Sequence, residues 1–274
     1  MTVFSYDGAR VRRLTSDRGF FAQAHVHPNG ETAVCWGGEA GEARLWVAAT
    51  DGSGCEAIGS EGARHPVYDP AGGRVAFSRL TADDPIEAMG ARAASGMPPA
   101  GVPAHICVLD LASGAVRQIT DGASQDQRPC WGSDGSTLVY VSDGRLRAVA
   151  VDGGESTDLG GPSFAYRPWF AVDGRELFFF TVVDGRRQVQ RMATDGGRWN
   201  PLDNDDRGHT HGPFADPSGD HLIVHSTREG GWWLFELPLD GGPARRLDLP
   251  GVDVAAHGTR SRGRVLVFDG IVMA

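Results

Sequence analysis

The sequence predicts an all-β chain folded as a six-bladed β-propeller with four antiparallel strands in each blade, and three observations carry that expectation. Two kinds of glycine-centred turn alternate along the chain, short β-rich runs lie between them, and the two ends hold complementary halves of one repeat.

The first turn family is Pro28-Asn29-Gly30, Pro70-Ala71-Gly72, Ser133-Asp134-Gly135, Val172-Asp173-Gly174, Pro217-Ser218-Gly219 and Ser261-Arg262-Gly263. Glycine supplies the positive φ that such tight turns need. Subtracting successive glycine positions gives spacings of 42, 63, 39, 45 and 44 residues. The second family is Asp7-Gly8, Asp51-Gly52, Ser113-Gly114, Asp152-Gly153, Asp195-Gly196 and Asp240-Gly241. Between the turns run segments such as Arg74–Ser78, Thr137–Val141, Glu176–Phe180, His221–His225 and Arg264–Phe268, rich in Val, Leu and Phe and too short for helices. Four such runs per period of about 42 residues make a propeller blade.

Five units are complete and the sixth is divided. Val254 to Phe268 supplies its inner two strands and Thr2 to Thr15 its outer two, so the ring is expected to close by pairing N-terminal with C-terminal residues. Closure removes the exposed sheet edges that invite aggregation. The whole chain, residues 1–274, is read as one domain.

Units such as Arg128–Tyr140, followed by Val151-Asp152-Gly153-Gly154, resemble the Pro-x-Trp-Ser-Pro-Asp-Gly repeats of TolB-like β-propellers. The resemblance covers essentially the whole chain and implies the fold, not an activity, because such discs serve as binding modules and as enzymes alike.

Composition narrows the function. The formal net charge is −9 and the basic residues are scattered, so no nucleic-acid partner is expected. All 26 basic residues are arginine, which removes lysine Schiff-base chemistry and a phosphate-loop lysine, and with them the expectation of a nucleotide cofactor. No run approaches the roughly 18 apolar residues of a membrane span, and the first residues carry no signal-peptide pattern. No membrane partner and a cytoplasmic location are therefore expected. Cys35, Cys55, Cys107 and Cys130 show no metal-type or redox-type spacing and read as reduced thiols.

In a four-strand meander both turn families fall on one face. The opposite face collects the entries to the innermost strands and the loops between second and third strands, beside the channel mouth where ligands are expected. His65, His209, His211 and His257 map to starts of innermost strands, His25 slightly deeper, His225 to the end of a second strand and His105 to the start of a third. Gln23, Arg128, Tyr166 and Arg167 take the corresponding positions in other blades, whereas His27 and His221 fall elsewhere. His65, Arg128, Tyr166 and Arg167 are the candidate catalytic groups, and Gln23, His25, His105 and His225 the candidate substrate contacts. The two arginines suit an anionic substrate held by bidentate contacts. An insertion over residues 80–104 of blade 2 emerges on the same face, where it could act as a lid or as a tolerated surface loop.

In His209-Thr210-His211 the two imidazoles sit at i and i+2 of an extended segment, so they project to one side and could share a metal ion. This segment resembles the His-x-His blade entry of oligogalacturonate lyases, β-propellers that bind a divalent metal, typically manganese. The resemblance implies His209 and His211 as ligands, with Asp206 at the position of the family's glutamine. No residue matches the third family histidine, and His257 of the adjacent blade is its geometric substitute.

Two functions are carried forward. One is a small-molecule enzyme, a metal-assisted lyase, isomerase or hydrolase acting on a polar, carboxylated or sugar-like substrate with manganese, zinc, nickel or iron. The other is a noncatalytic propeller that binds a protein partner.

Overall fold

The computed structural model describes residues 1–16, 18–38, 43–59, 61–81, 102–202 and 207–271. Most of the proposed lid, and Asp206, lie outside the described residues. Blade 1 is built from β3 (Phe20–Val26), β4 (Thr32–Gly38), β5 (Arg44–Ala49) and β6 (Cys55–Gly59), which follow β1 (Thr2–Tyr6) and β2 (Val11–Arg13). Blade 2 has β7 (Ala63–Tyr68), β8 (Arg74–Leu80), β9 (Ala104–Asp110) and β10 (Val116–Gln118), and blade 3 has β11 (Asp126–Trp131), β12 (Thr137–Ser142), β13 (Arg145–Ala150) and β14 (Thr157–Gly160). Blade 4 comprises β15 (Tyr166–Phe170), β16 (Glu176–Val183), β17 (Arg186–Ala193) and β18 (Trp199–Pro201). Blade 5 comprises β19 (Thr210–Ala215), β20 (His221–Ser226), β21 (Trp233–Pro238) and β22 (Arg245–Arg246). Blade 6 contains β23 (Val254–Arg260) and β24 (Leu266–Ile271), and its sheet order is β2-β1-β24-β23.

Within blade 6, β1 runs antiparallel to β24 from Thr2↔Gly270 to Tyr6↔Leu266. The alternation of side chains along each strand sends apolar residues to both sheet faces, so the core forms between blades. One cluster, for example, joins Val67, Ala76 and Ile106 of blade 2 to Trp131 and Leu138 of blade 3. Polar clasps reinforce the seams: Arg74 Nη2 donates to Gly135 O at 2.8 Å, and the Trp131 indole N–H to Val67 O at 3.1 Å. His27 and His221, as expected, stand on the turn side. His27 packs edge-on to Tyr68 and reaches Gly72 O, while His221 pairs with Asp216 and Asp220.

One irregularity repeats six times. Every innermost strand breaks register against its neighbour at a two-residue bulge: Ala22/His25, Arg64/Val67, Gln127/Cys130, Tyr166/Trp169, His211/Phe214 and Ala256/Thr259. The first bulge residue is left-handed each time, with φ of 53° at Gln23, 54° at His65, 56° at Arg128, 53° at Arg167, 64° at Gly212 and 50° at His257. Non-glycine residues seldom hold this conformation, and bulges re-aim side chains beside sites. Residue identity follows position: five of these six places carry Gln, His or Arg.

Candidate functional site

The six bulges lie around the channel axis, and Gln23, His65, Arg128 and Arg167 line its wall together. The structure thus brings these expected residues into one ring and adds His257 as the equivalent of blade 6. It does not leave them at an open mouth. Arg128, Arg167, His65 and His257 are each buried, and His225 is 2% exposed. The sequence gives charge and position along the strand, whereas the bulge that turns the side chain inward is a backbone feature.

Blade 5 departs from the pattern, because its ring position is Gly212. A Cβ there would stand 2.6 Å from His225 Cε1 and 2.7 Å from its Nδ1. His225, from the second strand, therefore fills the place a side chain at 212 would take. His211 lies against it, ring centroids 3.7 Å apart, and His257 follows at 4.6 Å. Trp232 closes the other side, 4.8 Å from His211. Gly212→Ala should cost about 2 kcal/mol, from the left-handed backbone and the displaced imidazole together. Thermal melts of Gly212→Ala, His225→Ala and the double variant check this. The double variant should recover the steric part of the loss, and strictly additive losses would show that His225 does not occupy that space.

Two residues that no sequence signal singled out complete the cluster. Asp269 pairs with Ala256 on β24 at the position equivalent to His225, which pairs with His211. Its Oδ2 accepts from His257 Nδ1 at 2.7 Å and its Oδ1 from the Gln23 backbone N–H at 3.0 Å. Arg187, at the head of β17, donates from Nη1 to His211 Nε2 at 3.2 Å. The equivalence of second-strand positions could have pointed to Asp269, but Arg187 is one of many dispersed arginines.

Electrostatics set the character of the cluster. Burial, then the neighbouring histidines and the Arg167, Arg187 and Arg128 guanidinium groups, hold His211 and His225 well below the ordinary imidazole range. Burial and the Arg167 and Arg128 charges do the same to His257. Burial lowers Arg167 well below its usual value, with Arg128 adding repulsion, while burial lifts the Asp269 carboxyl. Arg128 also lies 4.8 Å over the Tyr166 ring. Two buried guanidinium groups and the half-buried Arg187 thus share a site with neutral imidazoles and one reluctant carboxylate. His211 Nδ1, His225 Nδ1, His257 Nε2 and Gln23 Nε2 are buried without a hydrogen-bond partner within the protein. The Gln23 amide is turned by Trp36 Nε1, which donates to Oε1 at 3.0 Å.

This field does not fit a metal ion. The expected set of His209, His211 and His257 is not assembled: the Arg187 backbone N–H donates to His209 Nδ1 at 3.2 Å, and the same residue's guanidinium stands against His211. Among the described residues no group of three or more His, Cys, Asp or Glu is arranged to hold a metal ion. A dication beside Arg128, Arg167 and Arg187 would meet like charge in a low-dielectric interior. His25 and His105 also part from the ring. His25 lies beyond it toward the turn face, against Trp169 and Tyr68, and His105 sits on β9, two strands out from the axis, beside Asp126.

The disc is shared with solved structures at low identity. A structure described as a TolB from Agrobacterium tumefaciens matches with a TM-score of 0.74 at 17% identity, covering 98% of both chains. Oligogalacturonate lyase in complex with manganese matches with 0.60 at 14%, covering 99% of this chain and 79% of that one. A puromycin-hydrolyzing peptidase of Mycobacterium tuberculosis matches with 0.63 at 14%, covering 94% of this chain and 44% of its own. No protein-family model matches the sequence, and no curated protein matches it. What these likenesses show is the fold, a six-bladed β-propeller shared with TolB and the lyase.

Proposed function

We propose that this chain is an enzyme acting on a small carboxylated molecule held in the central channel, with Arg128, Arg167 and Arg187 binding the acid and His257 moving a proton. The observation that carries it is the buried concentration of like charge. Guanidinium groups depressed by burial first and by neighbouring guanidinium charge second cost stability that an incoming anion offsets, and a carboxylate accepts from such groups bidentately.

His257 is placed for the chemistry. Above about pH 7, where Asp269 is ionised, its Oδ2 accepts from Nδ1, so the hydrogen sits on Nδ1 and leaves the Nε2 lone pair as a base. That nitrogen is buried and unpartnered. Proton removal from the carbon next to the bound carboxylate builds negative charge, which the guanidinium groups offset. Elimination or isomerisation follows, according to whether a leaving group departs or the proton returns elsewhere. The lyase among the proteins of this fold supports that class of reaction.

Arg167→Gln separates binding from stability. Removing one of several repelling charges should raise the melting temperature of the ligand-free protein by a few degrees, about 1 kcal/mol in a chain of this size. The same change should weaken binding of acetate by roughly 10- to 100-fold in calorimetric titration, the range for a lost charged hydrogen bond. His257→Gln should bind normally and not turn over. A wild-type protein to which no carboxylate binds, or an Arg167→Gln protein that binds unchanged, would leave the channel without this role and favour the protein-binding function.

A further inference from the structure

The channel continues beyond the ring, and its chemistry changes. Immediately past the left-handed residues come Pro66, Pro129, Pro168 and Pro213, a rigid apolar collar within a narrow cavity of about 50 Å³ that the polar ring also lines. That is room for only a few water molecules. On its far side the wall becomes aromatic, with Trp169 in edge contact with Phe214 at 4.7 Å and with His25 at 5.2 Å. His25, Val67 and Trp169 border both this neck and a wider funnel of about 300 Å³ that opens among the first-family turns. Tyr68, Trp131 and Phe170 line the funnel further out.

The funnel has no charge poised at its depth. Burial lowers His25 to about 3, and its Nδ1 accepts from the Tyr68 backbone N–H at 3.1 Å, so the ring presents a neutral face. Of the rim charges, Asp69 binds Arg74 and Arg260 binds Asp216 and Glu236, while Arg262 stands exposed at the outer edge. A concave site that is mainly apolar with a few convergent polar groups at one end selects an amphipathic small molecule.

Resting on the proposed binding of a carboxylate at Arg128 and Arg167, we infer that the ligand is an arylalkanoic acid that enters from the turn face. Its carboxylate reaches the arginine ring, a neck of one or two carbons threads the proline collar, and its flat apolar body stays against Trp169 and Phe214. The collar sets the neck length. Its narrowness suits a short unbranched chain, and its proline rings do not fold away to admit a sugar ring.

Calorimetric titration of the intact chain with acetate, D-glucuronate, phenylacetate, 3-phenylpropionate and 2-phenylethanol tests this. The aryl acids are expected to bind at least 50-fold more tightly than acetate or glucuronate, in line with burial of one aromatic ring, and 2-phenylethanol, which lacks the acid, should bind weakly. Trp169→Ala should remove most of the aryl advantage and leave acetate affinity unchanged, whereas Trp169→Phe should retain it, which separates a lost contact from a lost fold. Glucuronate binding as tightly as the aryl acids, or Trp169→Ala with unaltered aryl affinity, would overturn the inference and leave the carboxylate site standing. Failure of every acid, with 2-phenylethanol alone binding, would overturn both.

Discussion

Deletion of residues 2–14 is expected to yield insoluble or aggregated protein, because it removes the whole outer half of blade 6. The strand β1 pairs along its entire length with β24, and Val3, Phe4 and Leu14 are buried, Val3 completely. Losing the burial that three such side chains supply costs about 1.5–3 kcal/mol each, a large share of the roughly 5–15 kcal/mol that holds a domain together. The loss also uncovers β24 as an edge strand bearing Leu266, Val267 and Phe268, all buried in the intact chain. Sedimentation of the expressed variant and its melting curve check this. Unchanged solubility and melting would show that the pairing contributes little to the disc.

The repeat was legible because turns and strands are local. Gly30, Gly72, Gly135 and Gly219 take positive φ whatever the rest of the chain does, and a run such as Leu177–Phe180 has few alternatives to a buried strand. The ring of Gln23, His65, Arg128, Arg167 and His257 was half legible. Its residue types and their place at strand entries could be read, but the sequence does not announce a bulge that turns each inward. The expected metal set is not assembled, because of a residue from elsewhere. His209 and His211 have the right spacing, yet Arg187, one blade back, engages both. Sequence spacing describes what one strand offers; it is silent about which neighbouring blade answers. Asp269 illustrates the same limit, since its partners Gln23 and His257 are 246 and 12 residues away.

The same buried imidazoles make stability fall steeply with acid. His25, His211, His225 and His257 all have folded values below the ordinary one, chiefly through burial, so each is neutral in the fold at a pH where the unfolded chain is protonated. The stability they allow is present above about pH 6.5 and is lost as the pH drops from there toward the folded values. Asp269 works the other way: raised by burial, it already holds a proton in the fold where the unfolded carboxyl does not, and Asp126, raised similarly, can do the same. Four histidines less one or two carboxyls leave a net uptake of two to three protons on unfolding. At roughly 1.4 kcal/mol per proton per pH unit, stability should drop by roughly 3–4 kcal/mol for each unit below about 6. His221, raised by its pairing with Asp216, gains its proton above this window and does not offset the loss. Urea midpoints between pH 7 and pH 5 measure the slope, and His211→Gln should reduce it by about one proton. A flat profile would mean that these imidazoles take up their protons within the fold, against the burial that holds them neutral.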